Sequence, residues 1–294
     1  MILVTCANGN QGRRLVPKLL AAGHRVRAAV RTEASAQHLR AIGVQDVLVG
    51  DLADAGLLTR AMQGVAGVYH IGPTLHPAER DMGFAMVDAA RAAGVGHFVF
   101  SSVLHAITTD LIQHGIKRDV EEHLLSSGLE FTILQPANYM LTHRLQSVFG
   151  EGVFRLPWSL ERRQSMVDLE DVTDIAALVL GDRERHGAAT YELVGPGRYT
   201  GHDIARAISD VLGREIRVER LDLEAFVQAR FGGADPETLR HQLRMSRAIE
   251  ARYSAHDFLG NPNVLTWLLG RPPTSFEQFV QRERAAFEPD VAQG

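Results

Sequence analysis

Along the first half of the chain, short apolar runs alternate with longer segments whose apolar positions recur at helical spacing. The runs are ILVT (2–5), RVRAAV (25–30), DVLVG (46–50), GVYHIG (67–72), HFVFSS (97–102) and FTILQP (131–136). Between them lie GRRLVPKLLAAG (12–23), ASAQHLRAIG (34–43), AGLLTRAMQG (55–64), RDMGFAMVDAARAAG (80–94) and KRDVEEHLLSSG (117–128). A strand that is apolar throughout is buried on both faces, and a helix closed by glycine after each strand supplies a crossover. The pattern predicts an α/β fold, a doubly wound parallel sheet of six strands with helices on both sides.

The alternation loosens after Tyr139. The polar stretch EGVFRLPWSLERRQS (151–165) reads as an interruption, and MVDLEDVTDIAALVLG (166–181) as a strand end followed by a helix with acidic residues at its start, where the helix dipole favours them. A further strand is expected at ATYELVG (189–195), and Thr200 with Asp203 forms a capping-box-like start to HDIARAISDVLG (202–213), with Ile204, Ile208, Val211 and Leu212 on its inner face. From Glu224 to Phe287 the chain reads as mostly helical, with loops at Gly232-Gly233, Gly260-Asn261-Pro262 and Arg271-Pro272-Pro273. The expected organisation is a dinucleotide-binding domain over 1–150 with a return segment at 165–187, and a smaller, mostly helical C-terminal substrate lobe over 151–294. Phe154, Trp158, Tyr253, Phe258 and Trp267 read as core of that lobe, with an aromatic pocket as the alternative.

Composition narrows the function classes. The 294 residues are 45% hydrophobic and 22% charged, an ordinary globular balance. With 31 basic and 35 acidic residues the net charge is −4, which leaves no basic field for direct nucleic-acid or anionic-membrane binding. A single cysteine excludes an internal disulfide framework and a cysteine-cluster zinc site, so a reducing, cytoplasmic setting is expected. The opening residues read as a buried strand rather than a secretory leader, and no apolar run reaches the roughly 18 residues of a membrane span. The 13 histidines lack ligand-like spacing, so no metal is expected, and no Gly-x-Ser-x-Gly elbow points to a hydrolase.

In an open parallel sheet, ligands bind beyond the carboxyl ends of the strands, where the strand order reverses. The first such loop, Thr5-Cys6-Ala7-Asn8-Gly9-Asn10-Gln11-Gly12, follows strand one and opens a helix. Gly9 lets the backbone approach a diphosphate, Gly12 lets the helix pack tightly, and amides at the helix start face the phosphates. Cys6 takes the place of the loop's first glycine and reads as a small substitute; a thiol activated by the helix start is the alternative. Strand two ends in Val30-Arg31, and a guanidinium there accommodates a ribose 2′-phosphate, which selects NADP (NADPH), with Thr32 and Ser35 as supporting hydroxyls. Glu33 nearby leaves NAD open.

TCANGNQG, VRTEAS (30–35), GDL (50–52), VFSSV (99–103), IKRDVEEHLLSSGLEFTILQPANYM (116–140), MVDLEDVTDIA (166–176) and LLGRPPTSFEQF (268–279) together resemble the NmrA-like group of atypical short-chain dehydrogenases/reductases. That group includes quinone and azo-dye reductases and redox-sensing regulators. The resemblance implies a Rossmann fold whose cofactor contacts fall on Thr5, Asn8 to Gly12, Arg31, Ser35, Asp51, Leu52, Ser101 and Lys117, with Asp51-Leu52 bordering the adenine. An aspartate after a strand is equally well a helix cap. Lys117 would bind the nicotinamide ribose at the start of its helix, and Pro136, Ala137, Asn138 and Tyr139 would border nicotinamide and substrate.

Ordinary short-chain dehydrogenases place a catalytic tyrosine four residues before that lysine, and here the position holds Gln113, whose amide has no exchangeable proton near neutral pH. His114 is the best-placed proton donor, with a plain loop histidine as the alternative, and Tyr139 is the second choice. A quinone-like acceptor can take its proton from water. The expectation is therefore an NADPH-dependent oxidoreductase acting on a small aromatic or quinone-like molecule. The rival is a non-catalytic NADP(H) sensor that signals through a protein partner, and a homodimer also stays open.

Overall fold

In the computed structural model of the chain, residues 1–74 and 76–287 are described. The apolar runs form β1 (Ile2–Val4), β2 (Val26–Val30), β3 (Asp46–Val49), β4 (Gly67–Ile71), β5 (His97–Ser101) and β6 (Phe131–Pro136). The helices between them are α1 (Gly12–Ala21), α2 (Glu33–Ala41), α3 (Ala55–Met62), α4 (Glu79–Ala92) and α5 (Ile112–Leu125). Next come β7 (Asn138–Met140), a 3-10 turn at Thr142–Leu145, α6 (Gln146–Glu151), β8 (Val153–Leu156), β9 (Met166–Asp168), α7 (Leu169–Gly181), α8 (Arg183–His186) and β10 (Ala189–Leu193). The chain continues through α9 (Gly201–Leu212), β11 (Arg217–Arg220), α10 (Leu223–Phe231), α11 (Pro236–Ala255), α12 (Asn263–Leu269) and α13 (Phe276–Phe287).

By contact density the chain divides into two units, the first comprising Met1–Pro136 with Leu169–Leu193 and the second comprising Ala137–Asp168 with the residues from Val194 onward. The first unit holds a parallel sheet of seven strands among the described residues, in the order β10-β6-β5-β4-β1-β2-β3. All residues of β1 and β5 are buried, which is why these strands show no alternation of period two. Helices α3, α4 and α5 share one core with the sheet, in which Met62, Met86 and Leu124 pack with Leu3, Phe98 and Phe100. Helix α7 packs along α1, where Lys18 Nζ donates to the Glu170 carbonyl at 2.9 Å and pairs with Asp174 Oδ1 at 2.6 Å.

Strand order runs outward from β1 to β3 and then jumps to β4 on the other side of β1, so the connections leaving β1 and β4 diverge and open a crevice at the carboxyl edge. The sheet has one strand more than the six expected. β10, which sequence reading left in the smaller lobe, pairs with β6 in register from Ala189 opposite Thr132 to Leu193 opposite Pro136. It is an edge strand with only Leu193 fully buried, so it lacks the apolar continuity that marks the other six.

In the second unit β7 pairs with β9 and β8 with β11, each in parallel. β8 falls inside the stretch that reads as a polar interruption, because its three apolar residues, Val153, Phe154 and Leu156, are all buried. Thr200 and Asp203 form the expected capping box at α9, where Ile204 and Ile208 are buried and Val211 and Leu212 half-buried. Trp158 meets Tyr253 edge-on at 5.1 Å and Tyr253 meets Phe258 at 5.0 Å, while Trp267 is 74% exposed and stands outside this cluster. No helix of the described residues is long and apolar enough to cross a membrane.

His70 on β4 is fully enclosed, stacked on Phe100 at 5.8 Å, with its Nδ1 3.2 Å from Thr5 Oγ1. Burial first, and then the Lys117 charge, lower its pKa from 6.5 to about 3. The unfolded chain therefore takes up this proton as pH falls below 6.5 while the folded chain does not, and the stabilisation is lost as pH falls toward 3, about 5 kcal/mol in all. Urea denaturation between pH 7 and pH 4 should show a midpoint that drops with acid, and His70→Asn should flatten that slope; an unchanged slope in the variant contradicts this origin.

Candidate functional site

The loop after β1 turns sharply because α1 begins almost on top of it. A Cβ on Gly12 would lie 2.3 Å from the Ala7 carbonyl oxygen, and one on Gly9 would lie 3.1 Å from that of Cys6. Only glycine at position 12 lets the helix start so close to the strand end, where the Arg13 amide donates to the Gly9 carbonyl at 3.0 Å and the Arg14 and Leu15 amides donate to the Gln11 carbonyl at 3.0 and 2.9 Å. Arg13 Nε bonds the Asn8 carbonyl at 2.8 Å and its Oδ1 at 3.1 Å, and Asn8 Nδ2 donates to Ser35 Oγ at 2.9 Å. Ser35 is also bonded by the Thr32 hydroxyl, whose oxygen caps α2. Asn8, Thr32 and Ser35 thus tie the loop to the start of α2. Asn10 is exposed, and its carbonyl accepts from Arg14.

Two loop side chains face inward. Thr5 Oγ1 donates to the Ile71 carbonyl at 3.0 Å and accepts from the Ile71 amide at 2.8 Å, stitching β1 to β4. Gln11 Nε2 donates to Ser101 Oγ at 2.8 Å, and its Oε1 accepts from the Tyr69 hydroxyl at 2.5 Å. Thr5, Gln11 and Ser101 are buried, so their side chains hold the strand ends in place.

Cys6 adopts the left-handed conformation at φ 47°, the region its glycine counterpart enters without strain. Burial raises its thiol from 9.0 to about 11, against the opposing influence of Lys117 and Arg31, so the thiol is protonated and unreactive at neutral pH. Proximity to the helix start does not activate it.

A cleft of about 370 Å³, counted to its open mouth, lies beyond the ends of β1 to β4. Among its walls are Cys6, Arg31, Asp51, Leu52, Pro73 and His76. Arg31 is exposed and in no ion pair among the described residues, while Glu33 is paired with Arg40 along α2. Asp51 Oδ1 accepts from the Ala53 amide at 2.9 Å, so it closes a local turn as well as lining the cleft, and the cap of α3 is Asp54.

Lys117 does not start its helix. α5 begins at Ile112, five residues earlier, which places Lys117 in its second turn, only 7% exposed. Its Nζ lies 2.8 Å from Glu79 Oε1 and 5.3 Å from the Phe100 ring centre. A Cβ on Gly72 would come within 2.9 Å of Glu79 Oε1 and 3.0 Å of Lys117 Nζ, so the backbone after β4 lies directly against the pair. Gln113, in the position of the usual tyrosine, has a buried Oε1 without a hydrogen-bond partner. His114 is in the first turn of α5 rather than in a loop, 1% exposed, with Nδ1 3.0 Å from the His105 carbonyl. Beyond Ser101, the Ser102 hydroxyl donates to Glu121, whose carboxyl is raised by burial despite this bond and one from Gln135.

Pro136 ends β6. Ala137, Asn138 and Tyr139 belong to the second unit, where Asn138 Nδ2 donates to Gln164 Oε1 at 2.8 Å and Tyr139 is half-buried in β7. The structure adds residues that sequence reasoning missed: Glu79 beside Lys117, Tyr69 on Gln11, and Pro73, His76 and Met82 around the cleft. Glu79 carried a signal, but as an acidic residue in the first turn of α4 it is fully explained by the helix dipole.

A sequence profile of the NmrA-like family matches residues 1–265. The NAD(P)H azoreductase of Xenophilus azovorans is 32% identical over 98% of this chain and 99% of its own length. A quinone oxidoreductase of Escherichia coli, crystallised with NADPH, superposes with a TM-score of 0.78 at 25% identity, covering 96% of this chain and 99% of its own. NmrA, a negative transcriptional regulator, shares the fold with a TM-score of 0.78 at 19% identity over 97% of each chain.

Cys6→Gly should raise stability by about 1 kcal/mol, because it removes a side chain from a left-handed position. Glu79→Gln should lower stability by about 3 kcal/mol, because it leaves a buried ammonium without its counter-charge. Denaturant titration of each variant checks both, and a destabilised Cys6→Gly or a neutral Glu79→Gln contradicts the corresponding reading.

Proposed function

The chain belongs to the NmrA-like family, and from that membership we propose that it is an NADPH-dependent oxidoreductase passing hydride to a small aromatic or quinone-like acceptor. One observation carries the cofactor choice: the cleft wall after β2 presents the unpaired guanidinium of Arg31, while the neighbouring carboxylate of Glu33 is engaged with Arg40. A 2′-phosphate finds a bidentate partner there, and a bare ribose finds no free carboxylate.

The residues present fit the dinucleotide. Gly9 and Gly12 bring the loop backbone and the start of α1 close to the crevice, the cleft beyond β1 to β4 takes the adenosine end beside Asp51 and Leu52, and Gln113 leaves a buried acceptor unused. Bound NADPH supplies the hydride. Lys117 binds the nicotinamide ribose, and Glu79 fixes the direction of its ammonium. Gln113 cannot exchange a proton, and His114 is anchored through one ring nitrogen to the His105 carbonyl. The chemistry therefore suits an acceptor that takes hydride without an enzymic acid and draws its proton from water. A single half-buried, protonated thiol and a nicotinamide cofactor fit a cytoplasmic setting.

Gln113 also favours a second reading, a sensor that binds NADP(H) without turnover and acts through a protein partner. Incubation with NADPH and a panel of quinones, followed at the nicotinamide absorbance, separates the two: consumption above the protein-free rate is expected, and binding without consumption supports the sensor. Arg31→Asp should weaken NADPH binding at least tenfold, the effect of losing roughly 1.5–3 kcal/mol of charge-assisted hydrogen bonding, and change NADH binding little. Equal losses for both nucleotides, or no loss, overturn the assignment of Arg31.

A further inference from the structure

Between β4 and α4 the chain makes a tight turn that contributes Pro73 and His76 to the wall of the cleft. The His76 amide donates to the Pro73 carbonyl at 2.9 Å, and the His76 carbonyl accepts from the Glu79 amide at 3.0 Å, where α4 begins. The half-buried imidazole is held as well, because its Nδ1 accepts from the Ala78 amide at 3.1 Å. A ring nitrogen that accepts from an amide carries no hydrogen, so this bond selects the tautomer with the hydrogen on Nε2. The His76 side chain makes no other hydrogen bond among the described residues, and its ring lines the cleft with that N–H unused.

The same cleft holds an acceptor. Asp51 is exposed, its Oδ1 accepts from the Ala53 amide at 2.9 Å, and no cation pairs with it among the described residues. Ala29, Leu52, Pro73 and Met82 give the cleft its apolar surface. One carboxylate and one N–H in apolar surroundings match a flat ring that offers a donor and an acceptor side by side. The edge of adenine that bears the 6-amino group and N1 is of this kind. It is also the edge farthest from N9, which carries the ribose, so it enters the cleft first when the ribose phosphate stays on the exposed Arg31.

We propose that His76 is a specificity residue that reads the base of the nucleotide: its Nε2–H donates to N1 of adenine while Asp51 accepts from the 6-amino group. This role rests on the NADPH reading above and adds to it a choice among purines. Hypoxanthine has a carbonyl in place of the 6-amino group and a hydrogen on N1, so it sets acceptor against carboxylate and donor against donor.

Calorimetric titration with NADPH and with its reduced hypoxanthine analogue reads this choice without turnover. The parent should bind NADPH about tenfold more tightly than the analogue. Two variants separate reading the base from shaping the turn. Asparagine puts Oδ1 where His76 has Nδ1 and so keeps an acceptor for the Ala78 amide, but its side chain stops short of Nε2. Glutamine reaches the place of Nε2 with an N–H and gives up the acceptor. His76→Asn should therefore weaken NADPH binding about tenfold and the analogue's little, while His76→Gln should keep most of the preference. A purely structural role for His76 predicts the reverse order. Equal binding of both nucleotides by the parent, a His76→Asn variant that keeps the parent's preference, or one that weakens both nucleotides equally overturns the proposal and leaves the NADPH reading standing; a parent that binds neither overturns that reading and this role with it.

Discussion

The contact of Gly12 with Ala7 is the constraint from which the proposed nucleotide site is laid out. Because α1 starts within van der Waals distance of the strand end, the loop between them has no room to bulge, and its backbone is held at the carboxyl edge of the sheet where the strand order reverses. Thr5 then locks β1 to β4 from below, and Gln11 locks the same edge to Tyr69 and Ser101. The side chains best matched to a phosphate loop by position are thus partly scaffolding.

A second consequence is electrostatic. Lys117 and Glu79 form a nearly dry ion pair beside the same edge; the Lys117 charge reaches both Cys6 and His70, and the Glu79 charge reaches Cys6. Burial raises the thiol and lowers the imidazole, so both groups stay neutral at physiological pH. A pair this enclosed contributes orientation more than stability, since two desolvated charges roughly offset their attraction.

Much of this was legible in the residues. The six apolar runs, the glycine-closed helices and the tight glycine turn after β1 all obey local rules of period, cap and turn, and such rules survive folding because they need no distant partner. β10 was misassigned for the opposite reason: as a half-exposed edge strand it draws its place from pairing with β6, which no local pattern records. The start of α5 was placed five residues late because Ile112 to Ile116 carries no capping side chain. Glu79 escaped notice because its partner lies 38 positions away, and a carboxylate in a first helical turn already has an explanation.

The central claim is that the edge of the sheet between β1 and β4 is a dinucleotide crevice. Isothermal titration calorimetry of the purified chain with NADPH and with NADH tests it most directly. The account predicts saturable heat with NADPH at a micromolar Kd or tighter and weaker binding of NADH; absence of heat from both nucleotides at millimolar concentration would contradict it.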